Sequence, residues 1–150
     1  MTKYLLPIFT ILILFSGSAL AQRNVTPAID RDPILEQDAK HNLEVARQAF
    51  LLKKAYKGVL MRFEETYAAY PTFSGIEEFL YLAGMSSYYL SEGKGKQKVD
   101  MKSDREKERF APGKLREDAK AYLSTLLEKN PQTKYRDDAE KTLKLLQASN

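Results

Sequence analysis

Apolar positions recur at helical spacing over nearly the whole of this chain from Asp32 onward, interrupted by proline and by one charged stretch. Leu35, Ala39, Leu43, Ala46 and Phe50 fall three or four apart and mark one face of a helix that opens at Asp32-Pro33. Asp32 is a good cap, and proline suits a first turn because its missing N–H has no helical partner there. Ala55, Val59, Phe63, Tyr67 and Tyr70 make a second face, ended by Pro71, since the residue before a proline is driven out of the α region. Lys53-Lys54 occupies the place of a turn without Gly, Asn or Pro. The pattern leaves open whether the two stretches form a hairpin or one long helix.

A third helix is predicted from about Gly75, with Ser74 and Glu77 as a capping box and Ile76, Leu80, Ala83, Ser87 and Leu90 on its inner face. Its run Ala83, Gly84, Ser86, Ser87 is small-sided. Gly84 costs helix stability by about 1 kcal/mol against alanine, which close packing of a neighbour offsets. Leu115, Ala119, Leu123 and Leu126 predict a helix stopped before Pro131, and Tyr135, Ala139, Leu143 and Leu146 a last one with a polar outer side. No strand-like alternation occurs. The expected fold class is all-α, with about five helices.

The pattern also repeats. Val59, Phe63 and Pro71 stand in the same spacing as Ala119, Leu123 and Pro131, and Phe79 and Ala83 follow the first proline as Ala139 and Leu143 follow the second. Recurring helix–stop–helix units are stacked hairpins, none of which buries its apolar face alone. Tyr56, Val59, Phe63 and Pro71 resemble the second helix of the tetratricopeptide repeat, with Arg116 in place of the aromatic in the next unit. Tyr70-Pro71-Thr72-Phe73-Ser74, Tyr81-Leu82-Ala83-Gly84-Met85-Ser86 and Asn130-Pro131-Gln132-Thr133-Lys134-Tyr135 resemble the BamD-like outer-membrane assembly lipoproteins. The resemblance implies a short α-solenoid of about 2.5 tetratricopeptide-like hairpins over residues 32–150 and a place in envelope protein assembly.

The unit is broken once. A regular repeat of about 34 residues would bring the second proline to about position 105, yet it comes 60 residues after Pro71. The extra length falls at about 91–113, where Gly93-Lys94-Gly95-Lys96-Gln97-Lys98 predicts a mobile loop and Asp104 to Arg109 alternates in sign. Little there can be buried.

Export is expected from the first 21 residues. Lys3, an apolar run from Tyr4 to Phe15 and Ala19-Leu20-Ala21 make a signal peptide with a cleavage site, and the run is shorter than the roughly 20 residues that span a bilayer. Residues 22–31 read as a flexible lead. The chain has no cysteine, so it forms no disulfide and accepts no thioether-linked lipid. That departs from the lipoprotein pattern and predicts a soluble periplasmic protein, joined to the outer membrane only through partners. Removing Lys3 lowers the formal net charge of +4 by one, and so small a value in a mixed surface argues against a nucleic-acid partner.

Candidate chemistry is thin. His41 is the single histidine, too few for a zinc site or a histidine-assisted nucleophile. The pairs Glu64-Glu65, Glu77-Glu78 and Asp137-Asp138 are adjacent in sequence, and neighbours on a helix point about 100° apart, so they do not converge as acid and base. No catalytic residue, metal or cofactor is expected. Aromatic residues are the stronger signal: Tyr67, Phe73, Tyr81, Tyr88 and Tyr89 are the candidate partner-binding residues, against ordinary inter-repeat packing as the plainer alternative. Lys94, Lys96, Lys98 and Lys102 form a basic loop, either solvated or in peripheral contact with anionic headgroups. The pattern as a whole fits a non-enzymatic adaptor holding a protein or peptide in the envelope. An accessory subunit of a separate envelope enzyme is the alternative, and a short array invites homo-oligomerisation through an end face.

Overall fold

The computed structural model describes residues 32–148, and all regular structure among them is helical. The expected signal segment and the lead to Arg31 lie outside the described residues. Helix α1, Pro33–Gln48, is capped by Asp32, whose Oδ1 accepts from the N–H groups of Ile34 at 2.8 Å and Leu35 at 3.3 Å. It buries Ala39, Leu43 and Ala46, while Leu35 at its first turn remains exposed. Residues Ala49–Lys53 then widen into a π-helical turn. Lys54 takes the left-handed conformation (φ 48°), and the N–H groups of Lys54 and Ala55 both donate to the Ala49 carbonyl. The chain therefore reverses here, and α2, Tyr56–Ala69, packs back on α1.

Three longer elements and one short one follow: α3, Ile76–Ser91; α4, Asp104–Arg109; α5, Pro112–Lys129; and α6, Arg136–Ala148. Each long helix packs on its successor, and α1 and α6 also touch α3. Helix α3 is central for a reason visible in its composition. No charge lies between Glu78 and Glu92, and a helix apolar on every side is stable only when surrounded. Its tightest neighbour is α5: a Cβ built on Gly84 would lie 2.6 Å from both Cγ and Cδ2 of Leu123.

The sequence recurrence is a recurrence of backbone hydrogen bonds. After α2, the N–H groups of Phe73, Ile76 and Phe79 donate to the carbonyls of Tyr70, Phe73 and Gly75. Sixty residues later Thr133, Arg136 and Ala139 donate to Asn130, Thr133 and Tyr135. Val59, Phe63 and Phe79 are buried, and so are their counterparts Ala119, Leu123 and Ala139. Each repeated turn is held by a carboxylate from the first turns of the preceding hairpin's leading helix. Glu36 of α1 accepts from the Ser74 backbone N–H at 3.3 Å and from its hydroxyl. Glu77 of α3 accepts from Asn130 Nδ2 at 2.7 Å and Thr133 Oγ1 at 2.5 Å.

Those bonds correct the expected capping box. Gly75 is the N-cap of α3 and no side chain caps it. Ser74 and Glu77 are both turned away by stronger long-range partners, so the motif's local bonds are not made.

Residues 92–103 carry no regular helix, as a loop should. They are nevertheless tied to the first hairpin. The Lys96 N–H donates to the Lys54 carbonyl at 3.0 Å, Gln97 Oε1 accepts from the Gly58 N–H at 3.0 Å, and Lys57 Nζ donates to the Lys98 carbonyl at 3.3 Å and, in α4 just beyond, to Glu106 at 2.6 Å. Arg109 pairs with Glu64, and Phe110 is buried beside them. Gly95 is required here by its φ of 112° and by Tyr56, whose Cδ2 would lie 2.8 Å from a Cβ.

Candidate functional site

Seven residues make two helical turns, about 10.5 Å, so Tyr81 and Tyr88 sit two turns apart along α3 on nearly one side. Both are half-buried, as is Tyr89. Each stands in its own aromatic group. Tyr81 stacks on Tyr135, which immediately precedes α6, with centroids 4.2 Å apart and planes at 13°, and its hydroxyl donates to Asp138 Oδ2 at 3.1 Å. Lys134 Nζ lies 4.9 Å from the centre of the Tyr135 ring. Toward the other end of α3, Tyr89 contacts Tyr56 at 5.1 Å, Phe50 at 6.1 Å and Tyr88 at 5.6 Å. Lys94 Nζ lies within 6 Å of both the Tyr88 and Tyr89 rings, at 5.8 and 5.7 Å.

The remaining aromatic candidates are elsewhere. Phe73 is buried in the α2–α3 turn, and Tyr67 stacks on Phe63 at 5.2 Å in the seam between α2 and its neighbours. The five candidate residues thus fall into four places. Phe50, Tyr56 and Tyr135 complete two of them, and the aromatic density of the sequence does not single them out. Tyr135 is legible as the residue four after Pro131; Phe50 and Tyr56 require knowing that the chain turns between them. Lys94, Lys96, Lys98 and Lys102 are all exposed, and only Lys94 leans on the aromatic face.

Five of the six paired carboxylates are individually committed. Glu64 faces Arg109 and Glu65 accepts from Arg62 at 3.0 Å. Glu78 receives a two-pronged bond from Arg47, at 2.7 and 2.9 Å, which holds its carboxyl below the usual range. Asp138 takes Tyr81, and Glu77 is occupied by the turn below it. No adjacent pair shares a target. His41 is exposed. Among the described residues no three His, Cys, Asp or Glu side chains gather as a metal site would require, and no helix is long and apolar enough to cross a membrane. No family model, curated protein or solved structure matches this chain.

Burial raises the phenol pKa of Tyr56, Tyr81, Tyr89 and Tyr135, and takes that of Tyr122 up to about 12. A folded-state pKa above the unfolded value contributes stability that is fully present below about pH 10 and lost as pH rises through the folded value. Stability should therefore be level from neutral pH to about pH 10, then fall by about 1 kcal/mol by pH 11.5, since solvent screening of the half-exposed rings reduces the full value of about 1.4 kcal/mol per pKa unit. Thermal melts across pH 8–12, read with tyrosinate absorbance, check this. A melting temperature unchanged at pH 11.5 would refute it.

Proposed function

We propose that this chain is a non-enzymatic scaffold of tetratricopeptide-like hairpins that holds a protein or peptide partner in the cell envelope, with outer-membrane protein assembly as the setting its family resemblance suggests. The observation that carries the reading is the pair of half-buried aromatic stations on α3, Tyr81 with Tyr135 and Tyr88 with Tyr89. Tyrosine gives large contact area at little entropic cost and keeps a polar tip for the wet rim, which is why it is favoured at binding hot spots. A spacing of about 10.5 Å is the distance between side chains seven apart on a helical peptide, so an amphipathic helix laid along α3 would meet both stations with one face.

Co-purification from envelope extracts, run in parallel for the parent and for Tyr88→Ala, tests this. The parent should retain a stoichiometric protein complex. The variant should lose it by roughly thirtyfold, about 2 kcal/mol, with a melting temperature within a degree or two of the parent. Recovery of barrel-assembly components supports the assembly setting, whereas one dominant enzyme makes the chain that enzyme's accessory subunit. A parent that retains no protein, or a variant that retains everything, defeats the reading.

A further inference from the structure

The tip where α1 turns into α2 has a composition that the partner-binding reading does not use. Leu51 and Leu52, adjacent in the π-helical turn, are 62% and 74% exposed. Lys53 and Lys54 follow directly, and the hydrogen bond from the Lys96 N–H to the Lys54 carbonyl draws the basic loop, with Lys94 and Lys96, against the same tip. All four lysines are exposed, and among the described residues none forms an ion pair. No acidic residue occurs in 49–58 or in 93–99. Beside the leucines a cleft of about 520 Å3 has Lys54 and Lys94 at its wall and the Tyr56 and Tyr89 rings along it.

We propose that this tip docks on an anionic lipid surface, with Leu51 and Leu52 entering the acyl boundary and the lysines meeting headgroup phosphates. Two bare leucines at the end of a hairpin project outward, and a bilayer receives a projecting apolar tip where a rigid protein partner would need a matching hollow. Cations flanking them, from two stretches that carry no carboxylate, match the negative potential of an anionic leaflet, where each lysine strengthens attachment roughly fivefold, while long lysine stems lie along apolar surface with their charges in the headgroup layer. The backbone at Lys54 points the same way. Its left-handed conformation favours Gly or Asn at a helix end, so folding alone would prefer a smaller residue. A lysine there keeps a cation at the tip at a conformational cost. The tip borders the Tyr88–Tyr89 station and shares Lys94 with it, but Leu51, Leu52, Lys53 and Lys54 belong to the tip alone.

The absence of cysteine makes a local test simple. The full chain carrying Leu52→Cys, labelled with an environment-sensitive fluorophore, is mixed with phosphatidylglycerol vesicles or with phosphatidylcholine vesicles. Gln132→Cys, in the turn at the opposite end of the hairpins, is the control. The label at 52 should shift to the blue and be quenched by lipid-borne quencher on the anionic vesicles alone, and the label at 132 should do neither. Lys53→Glu with Lys54→Glu should weaken binding at least tenfold. Lys54→Gly should weaken it severalfold while raising the melting temperature by a few degrees, moving affinity and stability in opposite directions. The proposal is overturned by equal shifts on both lipids, by equal shifts at both sites, by lysine variants that bind like the parent, or by polyglutamate producing the shift as readily as vesicles.

Discussion

Gly84→Leu should abolish cooperative thermal unfolding, or lower the melting temperature so far that little folded protein survives at 37 °C. The residue sits where α3 crosses α5. Even a methyl group on Gly84 would stand 2.6 Å from two carbons of Leu123 and 3.5 Å from its backbone nitrogen. Leu123 itself is 0% exposed, so its side chain has no empty space into which to swing. Overpacking of this kind costs about 1–3 kcal/mol for a few added carbons and more where backbone must separate. Against a marginal total of about 5–15 kcal/mol, a four-carbon side chain at the closest helix crossing is a large fraction. Gly84→Ala is the graded case. Its gain of about 1 kcal/mol in helix propensity should be outweighed by the clash with Leu123. The double variant with Leu123→Ala should recover part of the loss, with a coupling of about 0.5–3 kcal/mol. If Gly84→Leu melts like the parent, the close α3–α5 crossing does not exist in solution.

That crossing is legible in the sequence, because a glycine inside an otherwise apolar helix weakens the helix unless a neighbour packs closely against it. The stops at Pro71 and Pro131 are legible for an equally local reason, and the hydrogen-bonded turns they start are the same turn twice. Legibility ends where a residue's partner is distant. Ser74 and Glu77 have the spacing of a capping box, but Glu36 lies 38 residues from Ser74 and Thr133 lies 56 from Glu77, and those partners win. The reversal after Lys53 is undecidable from residue types, since a π turn closed by a left-handed lysine has no compositional signature. The same holds for the loop anchors: Gln97 and Lys57 are ordinary polar residues until the fold places Gly58 and Glu106 opposite them. The aromatic candidates divide along this line too. Local density of tyrosines finds Tyr81, Tyr88 and Tyr89, but it joins them to Phe73 and Tyr67, which density cannot distinguish from core.

The distinction between core and surface aromatics leads to the second large effect, on Phe63. Phe63→Ala should cost about 3–5 kcal/mol. It should also loosen the coupling between the two halves of the molecule. The ring is 1% exposed and touches three others: Tyr67 on its own helix at 5.2 Å, Phe79 of α3 at 5.5 Å and Tyr122 of α5 at 4.8 Å, the last two edge-on. Edge-to-face pairs contribute about 0.5–1.5 kcal/mol each beyond burial, so truncation removes a cavity's worth of contacts and two oriented pairs together. The Arg109–Glu64 pair ties α2 only to the short α4, whereas the Phe63 ring reaches α5 itself and joins the first hairpin to the second through apolar contact. Denaturant unfolding should therefore show a lower midpoint and, if the halves separate, a shallower slope from lost cooperativity. Tyr88→Ala, measured alongside, should barely move the midpoint. Equal losses for the two variants would place Tyr88 in the core and remove it from any binding face; a Phe63→Ala variant as stable as the parent would mean that the α2, α3 and α5 aromatic seam is not packed.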